Sequence, residues 1–454
     1  MQKIQARQAL LPTGWAHDVS VILNKGCIAQ IVETSPGAAM QVDLLLPAPV
    51  NLHSHAFQRA MAGLTETRGP DPHDSFWTWR SLMYRFLDRL TPEQVEAIAA
   101  QVFMEMLESG FGAVAEFHYL HHDVGGVPYS NLAEMAGRIV AAAHTAGLGL
   151  TLLPVLYMAG GCDGRPLLGG QQRFGNDLDR FGDLHEASAQ ALKHGFNDHR
   201  IGRAAHSLRA VPPEALTGLL DMASEGPLHM HLAEQVAEVA EVTAHLGARP
   251  IEWILDNMPI DERWCLIHCT QMTQNETTRL AATAAVAGLC PITESSLGDG
   301  IFNGTEYQTG GGLYGVGSDS NIHIALWEEL ATFEYSQRLR DRSRAALATP
   351  HRSTGRMLFD AVTRAGAQAA GRASGKIGVG QVADLIAIST DNAFLCNRSG
   401  DAVLDSLIFT GRGRDCVTDV WSAGRHMVQD GRHVHRDEIE TAFKAVTEQL
   451  GQSI

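Results

Sequence analysis

The chain alternates short apolar segments with longer amphipathic ones, and that rhythm limits the folds open to it. Segments 44–52, 113–117, 148–156, 201–205, 228–230, 264–267, 284–291 and 313–317 are short and mostly apolar. Strands buried on both faces of a parallel sheet read this way. Helix-like stretches separate most of them. Thr91-Pro92-Glu93-Gln94 has the form of a capping box with proline at the first helical position. Behind it Val95, Ile98, Val102 and Met106 recur at helical spacing, and Gly110 stops the run. Thr273 to Glu276 opens another helix in the same way, ahead of Leu280. Segments 132–146, 185–194, 213–223 and 236–255 also carry helical patterns. Alternating strand and helix predicts an α/β protein with a parallel sheet. Eight units predict a (β/α)8 TIM-type barrel, with an open doubly wound sheet as the other closure.

The barrel is expected over residues 48–371 of the 454. That exceeds the about 250 residues typical of the fold, so insertions are expected at 65–89 and 159–183. The flanks, 1–47 and 372–454, are short alternating segments with glycine turns. They read as two pieces of one discontinuous small β-sandwich domain.

Composition narrows the function. Hydrophobic residues make up 45% and charged residues 19%, which excludes a disordered chain. Lys plus Arg is 35 against 51 Asp plus Glu, a net charge of −16, which argues against a nucleic-acid partner. No apolar run approaches the roughly 18 to 20 residues of a membrane span, and no signal-type stretch follows the N-terminus. The seven cysteines are scattered without a Cys-x-x-Cys pair, which fits a reduced, cytoplasmic protein. The oddity is 21 histidines, and histidine is the commonest metal ligand.

Barrel chemistry sits at the C-terminal ends of the strands. Strand 1 ends in His53-Ser54-His55, whose period-2 spacing puts both imidazoles on one side. Strand 5 ends in His231, with Glu234 three residues on; strand 6 ends in His268; strand 8 ends in Asp319. Three imidazoles and a carboxylate around an open position suit a catalytic Zn2+ that acidifies water. Fe2+ or Mn2+ tolerates the same ligands.

This ordered set resembles the amidohydrolase superfamily over essentially the whole chain. Gly378-Val379-Gly380-Gln381-Val382-Ala383-Asp384-Leu385 looks like the segment that re-enters that family's small β-domain. The resemblance implies that His53, His55, His231 and Asp319 hold one metal ion per chain. It also implies that Glu234 shuttles protons, Asp319 helps deprotonate the water, and His268 hydrogen-bonds the attacking hydroxide. Two-metal members carry a bridging Lys or Glu at the end of strand 4; here that strand runs Ile201 to His206 with neither. His229 lies two residues before His231 on the same face, but only His231 has the usual spacing to Glu234.

Further segments resemble one branch of the family. They are Asn51 to Arg59, Ser75 to Arg80, Glu116 to Tyr119 and His206 to Arg209. They imply Gln58, Arg80, Tyr119, His206 and Arg209 as substrate contacts. They imply the hydrolytic deamination of N-formimino-L-glutamate to N-formyl-L-glutamate and ammonia, a step of histidine degradation. Arginine pairs bidentately with carboxylates, so two arginines at the barrel mouth suit a small dicarboxylate. Blander roles exist for each: Arg80 stacked on Trp77 or Trp79, Arg209 paired with a surface acid, Tyr119 in the core. His121 and His122 read as solvated loop residues, and Cys265 and Cys269 as packing beside His268. The runner-up is a one-metal deaminase of a nucleobase or purine derivative; a catalytically dead scaffold and a zinc store are the non-enzymatic readings. A homodimer is the expected assembly, and the 65–89 insertion is the expected lid.

Overall fold

The computed structural model describes residues 1–33, 39–67, 76–222 and 225–451, with the backbone alone for 76–78, 80 and 81. Among the described residues, seventeen strands fall into two sheets. The first sheet takes β1 (Gln2–Leu11), β2 (Gly14–Asn24), β3 (Cys27–Glu33) and β4 (Met40–Pro47). The second takes β5 (Val50–Ser54), β6 (Ala113–His118), β7 (Gly149–Leu156), β8 (Arg200–Ile201), β9 (Arg203–Ala205), β10 (Leu228–Leu232), β11 (Trp264–His268), β12 (Val286–Leu289) and β13 (Leu313–Val316). The chain then returns to the first sheet through β14 (Leu385–Ile388), β15 (Val417–Ser422), β16 (Arg425–Gln429) and β17 (Arg432–His433).

The second sheet is parallel throughout, in the order β5, β6, β7, β9, β10, β11, β12, β13, with β8 beside β7. It closes where the last strand meets the first. Ser54 bridges Asp319, His55 N donates to Asp319 O at 2.9 Å, and Asp319 N donates to His53 O at 2.9 Å. The result is the barrel expected from the eight-fold rhythm. Its strands are buried almost end to end, which is why they read as continuous apolar runs.

Four elements differ from expectation, each for a local reason. The strand expected at 44–52 is two strands in different sheets. Pro49 has no N–H for a ladder, and Ala48 N donates sideways to Asp384 O at 3.0 Å. The strand expected at 201–205 breaks at Gly202, where a Cβ would lie 2.6 Å from both Leu153 Cδ2 and Pro227 O. The helix expected at 236–255 is two, Val236–Leu246 and Pro250–Asn257. Gly247 ends the first in the left-handed region (φ 76°), and Pro250 starts the second. The helix expected at 185–194 is Leu178–Ala191, started by the Asp177 side chain, which accepts from Arg180 N at 2.8 Å. Both capping boxes form: Gln94 N donates to Thr91 Oγ1, and Glu276 N to Thr273 Oγ1.

The terminal strands make one sheet, ordered β17, β16, β15, β14, β4, β1, β2, β3. It curls so that Ile28 N at the edge donates to Gln381 O at 2.8 Å. Ile4, Val21, Leu23, Leu45, Leu385 and Trp421 fill its own core. A buried ion cluster ties it to the barrel. Arg372 bonds Asp384 at 2.7 Å and Asp198 at 2.8 Å, and Arg425 bonds Asp198 at 2.6 Å. Among the described residues, no helix is long and apolar enough to cross a membrane.

Candidate metal and substrate site

The barrel's closure builds the site. β13 runs into Gly317, where a Cβ would lie 2.6 Å from both His53 N and His53 O. Only glycine lets the last strand approach the first that closely. That approach sets Asp319 beside His53 and His55. Asp319 Oδ1 is 3.4 Å from His53 Nε2 and 3.2 Å from His55 Nε2. From across the barrel, His231 Nε2 comes within 3.1 Å of His53 Nε2. One donor atom from each of these four buried residues lies within 4.8 Å of all the others.

The arrangement fits a metal ion. His55 Nδ1 donates to Phe117 O at 3.1 Å and His231 Nδ1 to His206 O at 3.1 Å. Each of those bonds leaves the Nε2 lone pair facing the cluster, the usual support of a ligating histidine. Burial pushes His53 down to about 3, and burial with neighbouring imidazoles holds His231 well below the usual range. Burial would raise the Asp319 carboxyl, but His53 and His55 beside it outweigh that and hold it well below the usual range. Neutral imidazoles and an ionised carboxylate are the forms a divalent ion requires. The remaining imidazole on this strand, His229, is directed elsewhere: its Nε2 bonds Ala369 O at 2.7 Å.

Glu234 and His268 stand beside the four. His268 Nε2 is 3.8 Å from Glu234 Oε1 and 3.9 Å from Asp319 Oδ2. Burial first, then the negative charge of Asp319 and Glu238, raises the Glu234 carboxyl against the pull of His268. Burial would lower His268, but Glu234, Glu294 and Asp319 together hold it well above its usual value. The backbone is strained here. His268, Cys269 and Asp319 all have positive φ (70°, 52° and 45°), conformations that persist only where the surroundings enforce them.

A cavity opens over the cluster. Gln58, Tyr119, His206 and Arg209 line it together with His55, His231, Glu234, His268 and Asp319. Gln58 Nε2 donates to Tyr119 Oη at 2.8 Å, while Gln58 Oε1 is buried and accepts no hydrogen bond among the described residues. Tyr119 packs edge-on to His55 at 4.8 Å. His206 packs edge-on to Tyr157 at 4.4 Å. Arg209 is 7% exposed, a buried cation with the charges of Glu238, Glu234 and Glu241 near it. Arg80 lies in the helix Phe76–Leu87, but its side chain falls outside the described residues.

Sequence reasoning missed part of the wall. Trp79, Met83, Tyr84, Tyr157, Phe174 and Leu297 also line the cavity. Phe174 comes from the 159–183 insertion, where no periodicity announces which residue turns inward. His121 and His122 are buried, contrary to the expectation of solvated loop residues. They bond Val155 O and Gly175 O, each at 3.0 Å, beneath the loop that carries Arg173. His73 lies outside the described residues; His323 is exposed. Cys265 and Cys269 are buried packing, with thiols pushed up by burial. Donor atoms of His268, Cys290 and Glu294 also converge. They form a hydrogen-bonded group, since Glu294 Oε1 already faces His268 Nδ1 and Cys290 N and burial keeps the Cys290 thiol protonated.

Residues 44–427 match the amidohydrolase family, and residues 1–43 match the N-terminal domain of formimidoylglutamate deiminase HutF. The chain is 45% identical to the formimidoylglutamate deiminase of Pseudomonas aeruginosa, over 99% of this chain and 100% of that protein. It is 27% identical to a 5-methylthioadenosine/S-adenosylhomocysteine deaminase of Shouchella clausii, over 89% of this chain and 86% of that protein. The crystal structure of an amidohydrolase from Brucella melitensis superposes with a TM-score of 0.95 at 47% identity, covering 99% of this chain and all of that one. A zinc-bound adenosine deaminase from Xanthomonas campestris shares the fold, with a TM-score of 0.79 at 20% identity over 99% of this chain and 98% of that one.

Proposed function

The chain belongs to the amidohydrolase family, and from that premise we propose that it hydrolyses N-formimino-L-glutamate to N-formyl-L-glutamate and ammonia. The observation that carries this reading is the juxtaposition of two features in one cavity. Four ligand-competent groups converge at its floor, and a buried guanidinium, Arg209, lines its wall. The near-full-length relative bears the name of this reaction.

His53, His55, His231 and Asp319 would hold the metal. We take it to be one Zn2+ per chain, because three imidazoles and one carboxylate suit that ion and the fourth strand offers no bridging Lys or Glu. When bound, the ion supplies positive charge that acidifies water and stabilises developing oxyanion character. The protein's own groups do the rest. Glu234 accepts a proton from the attacking water as its oxygen bonds to the formimino carbon. Glu234 then delivers that proton to the terminal nitrogen; the adduct's remaining O–H proton follows by the same carboxylate as the carbon–oxygen bond becomes the formyl carbonyl, the carbon–nitrogen bond breaks, and ammonia leaves. His268 Nε2, facing Glu234 and Asp319, hydrogen-bonds the oxygen and orients it. Arg209, with Arg80 as the second cation, holds the two carboxylates of the substrate. Gln58, Tyr119 and His206 fix the rest of the molecule; Gln58 Oε1, which accepts no hydrogen bond among the described residues, is an acceptor for a substrate N–H. The expected assembly is a homodimer and the expected compartment the cytoplasm.

Arg209→Ala tests the substrate assignment. A charge-assisted contact of about 1.5–3 kcal/mol corresponds to an increase in KM of about 10- to 150-fold, with kcat largely kept. Steady-state kinetics on N-formimino-L-glutamate reads this directly. An unchanged KM removes Arg209 from the site, and faster turnover of adenosine than of the dicarboxylate by the parent enzyme favours the ring-deaminase reading.

A further inference from the structure

The fold places a second carboxylate behind His268, on the side away from the cavity. β12 ends at Leu289, and the short helix Pro291–Leu297 follows. Glu294 on that helix is buried and turns its carboxylate back toward β11. Its Oε1 accepts from Cys290 N at 2.9 Å and from His268 Nδ1–H at 3.2 Å. A buried carboxylate at a helix start serves as a cap, so Cys290 N alone accounts for half of this geometry. The contact with His268 is the other half and has no capping role.

His268 needs such a partner. It is the last ladder position of β11, opposite Leu232, and the residue after it is fixed by backbone bonds: Cys269 N donates to Leu232 O at 3.0 Å and to Ile267 O at 3.1 Å. With φ at 70°, the backbone throws the ring toward the cavity but leaves its rotation about Cα–Cβ and Cβ–Cγ open. One face is covered by His231, whose ring lies 5.7 Å away and within 12° of parallel. Stacking limits tilt without choosing which nitrogen faces the cavity. The Glu294 bond makes that choice: it holds Nδ1 on the side away from the cavity and presents Nε2 to Glu234 and Asp319.

We infer that Glu294 is a positioning residue for the deamination, acting only through His268. The inference rests on the reaction proposed above. Glu294 touches neither substrate nor the four metal-holding groups, so its removal leaves binding intact and misaligns one hydrogen bond at the reacting oxygen. A misplacement of about 1 Å at such a group costs roughly 100-fold, and supporting partners of this kind typically carry 10- to 100-fold.

The test is a double-mutant cycle on the full-length, zinc-loaded enzyme with N-formimino-L-glutamate as substrate. Glu294→Ala is expected to lower kcat about 10- to 100-fold, with KM within about threefold and one metal ion still bound. In the His268→Asn background the same substitution is expected to change kcat by less than about twofold, because the group it acts through is gone. An equal loss in both backgrounds overturns the inference and leaves Glu294 a helix cap; so does an unchanged kcat in the Glu294→Ala single variant. Should that variant fail to fold, Glu294→Asp takes its place in the same cycle. Its shorter carboxylate keeps the charge but cannot reach Cys290 N and His268 Nδ1 together. A parent enzyme that releases no ammonia refutes the proposed reaction and not this positioning role.

Discussion

Glu234→Gln is expected to leave the metal bound and to lower kcat about 100- to 10,000-fold, the range for removing a general acid–base. The carboxylate is not one of the four groups that converge at the floor of the cavity. Its backbone is held independently, since Glu234 N donates to Glu238 Oε2 at 2.9 Å. Glutamine has the same shape, so fold and metal content are preserved. It cannot take a proton from water or pass one to the leaving nitrogen. KM is expected to change little, because the proposed contacts to the substrate carboxylates lie with Arg209 and Arg80. Stability is expected to hold or rise slightly, since burial already disfavours the ionised form of this carboxyl. Metal analysis with steady-state kinetics checks both halves. A variant with parental kcat would assign the proton transfer elsewhere, and one that loses metal would make Glu234 a ligand.

The second large effect concerns stability and lies far from the chemistry. Asp384→Ala is expected to cost about 3–5 kcal/mol, the range for breaking one side of a buried ion pair. Arg372 is buried between Asp384 and Asp198, and Asp384 Oδ1 also accepts from Ala423 N at 2.8 Å. Truncation takes one of two carboxylate partners from a buried guanidinium at the junction of the barrel and the terminal sheet. Thermal denaturation is expected to show a Tm lower by several degrees, while the double replacement Arg372→Met with Asp384→Leu loses less than the single one. A single variant as stable as the parent would show that the cluster does not couple the two sheets. Asp198 adds a pH dependence. Burial would raise its carboxyl, but Arg425 and Arg372 outweigh that and depress it below its usual value. Its stabilising contribution is therefore complete above about pH 4, the unfolded value, and is lost as the pH falls through the depressed one.

The convergence of His53, His55, His231 and Asp319 was legible because the four are written at strand ends, the one place where a barrel's sequence and its chemistry coincide. His-x-His at the first strand, His231 at the fifth and Asp319 after the eighth need no knowledge of loop paths. Glu294 was illegible for the converse reason. A glutamate one turn into a helix after proline reads as an ordinary first-turn acid, and only the folded return toward β11 shows what it meets. The terminal capping boxes were readable because a cap is settled within four residues. The Phe174 part of the pocket wall was not, because that residue is set by a long insertion that folds over His121 and His122. Glycine marked boundaries more reliably than hydrophobicity did: Gly202 and Gly247 each divide an element that apolar periodicity alone joins.

The most direct measurement is ammonia release from N-formimino-L-glutamate by the purified, zinc-loaded protein, with the second product identified by mass. The expected result is one ammonia and one N-formyl-L-glutamate per substrate consumed, abolished by a chelator and restored by zinc. No ammonia from a protein that holds its metal, or release that survives complete metal removal, would contradict it.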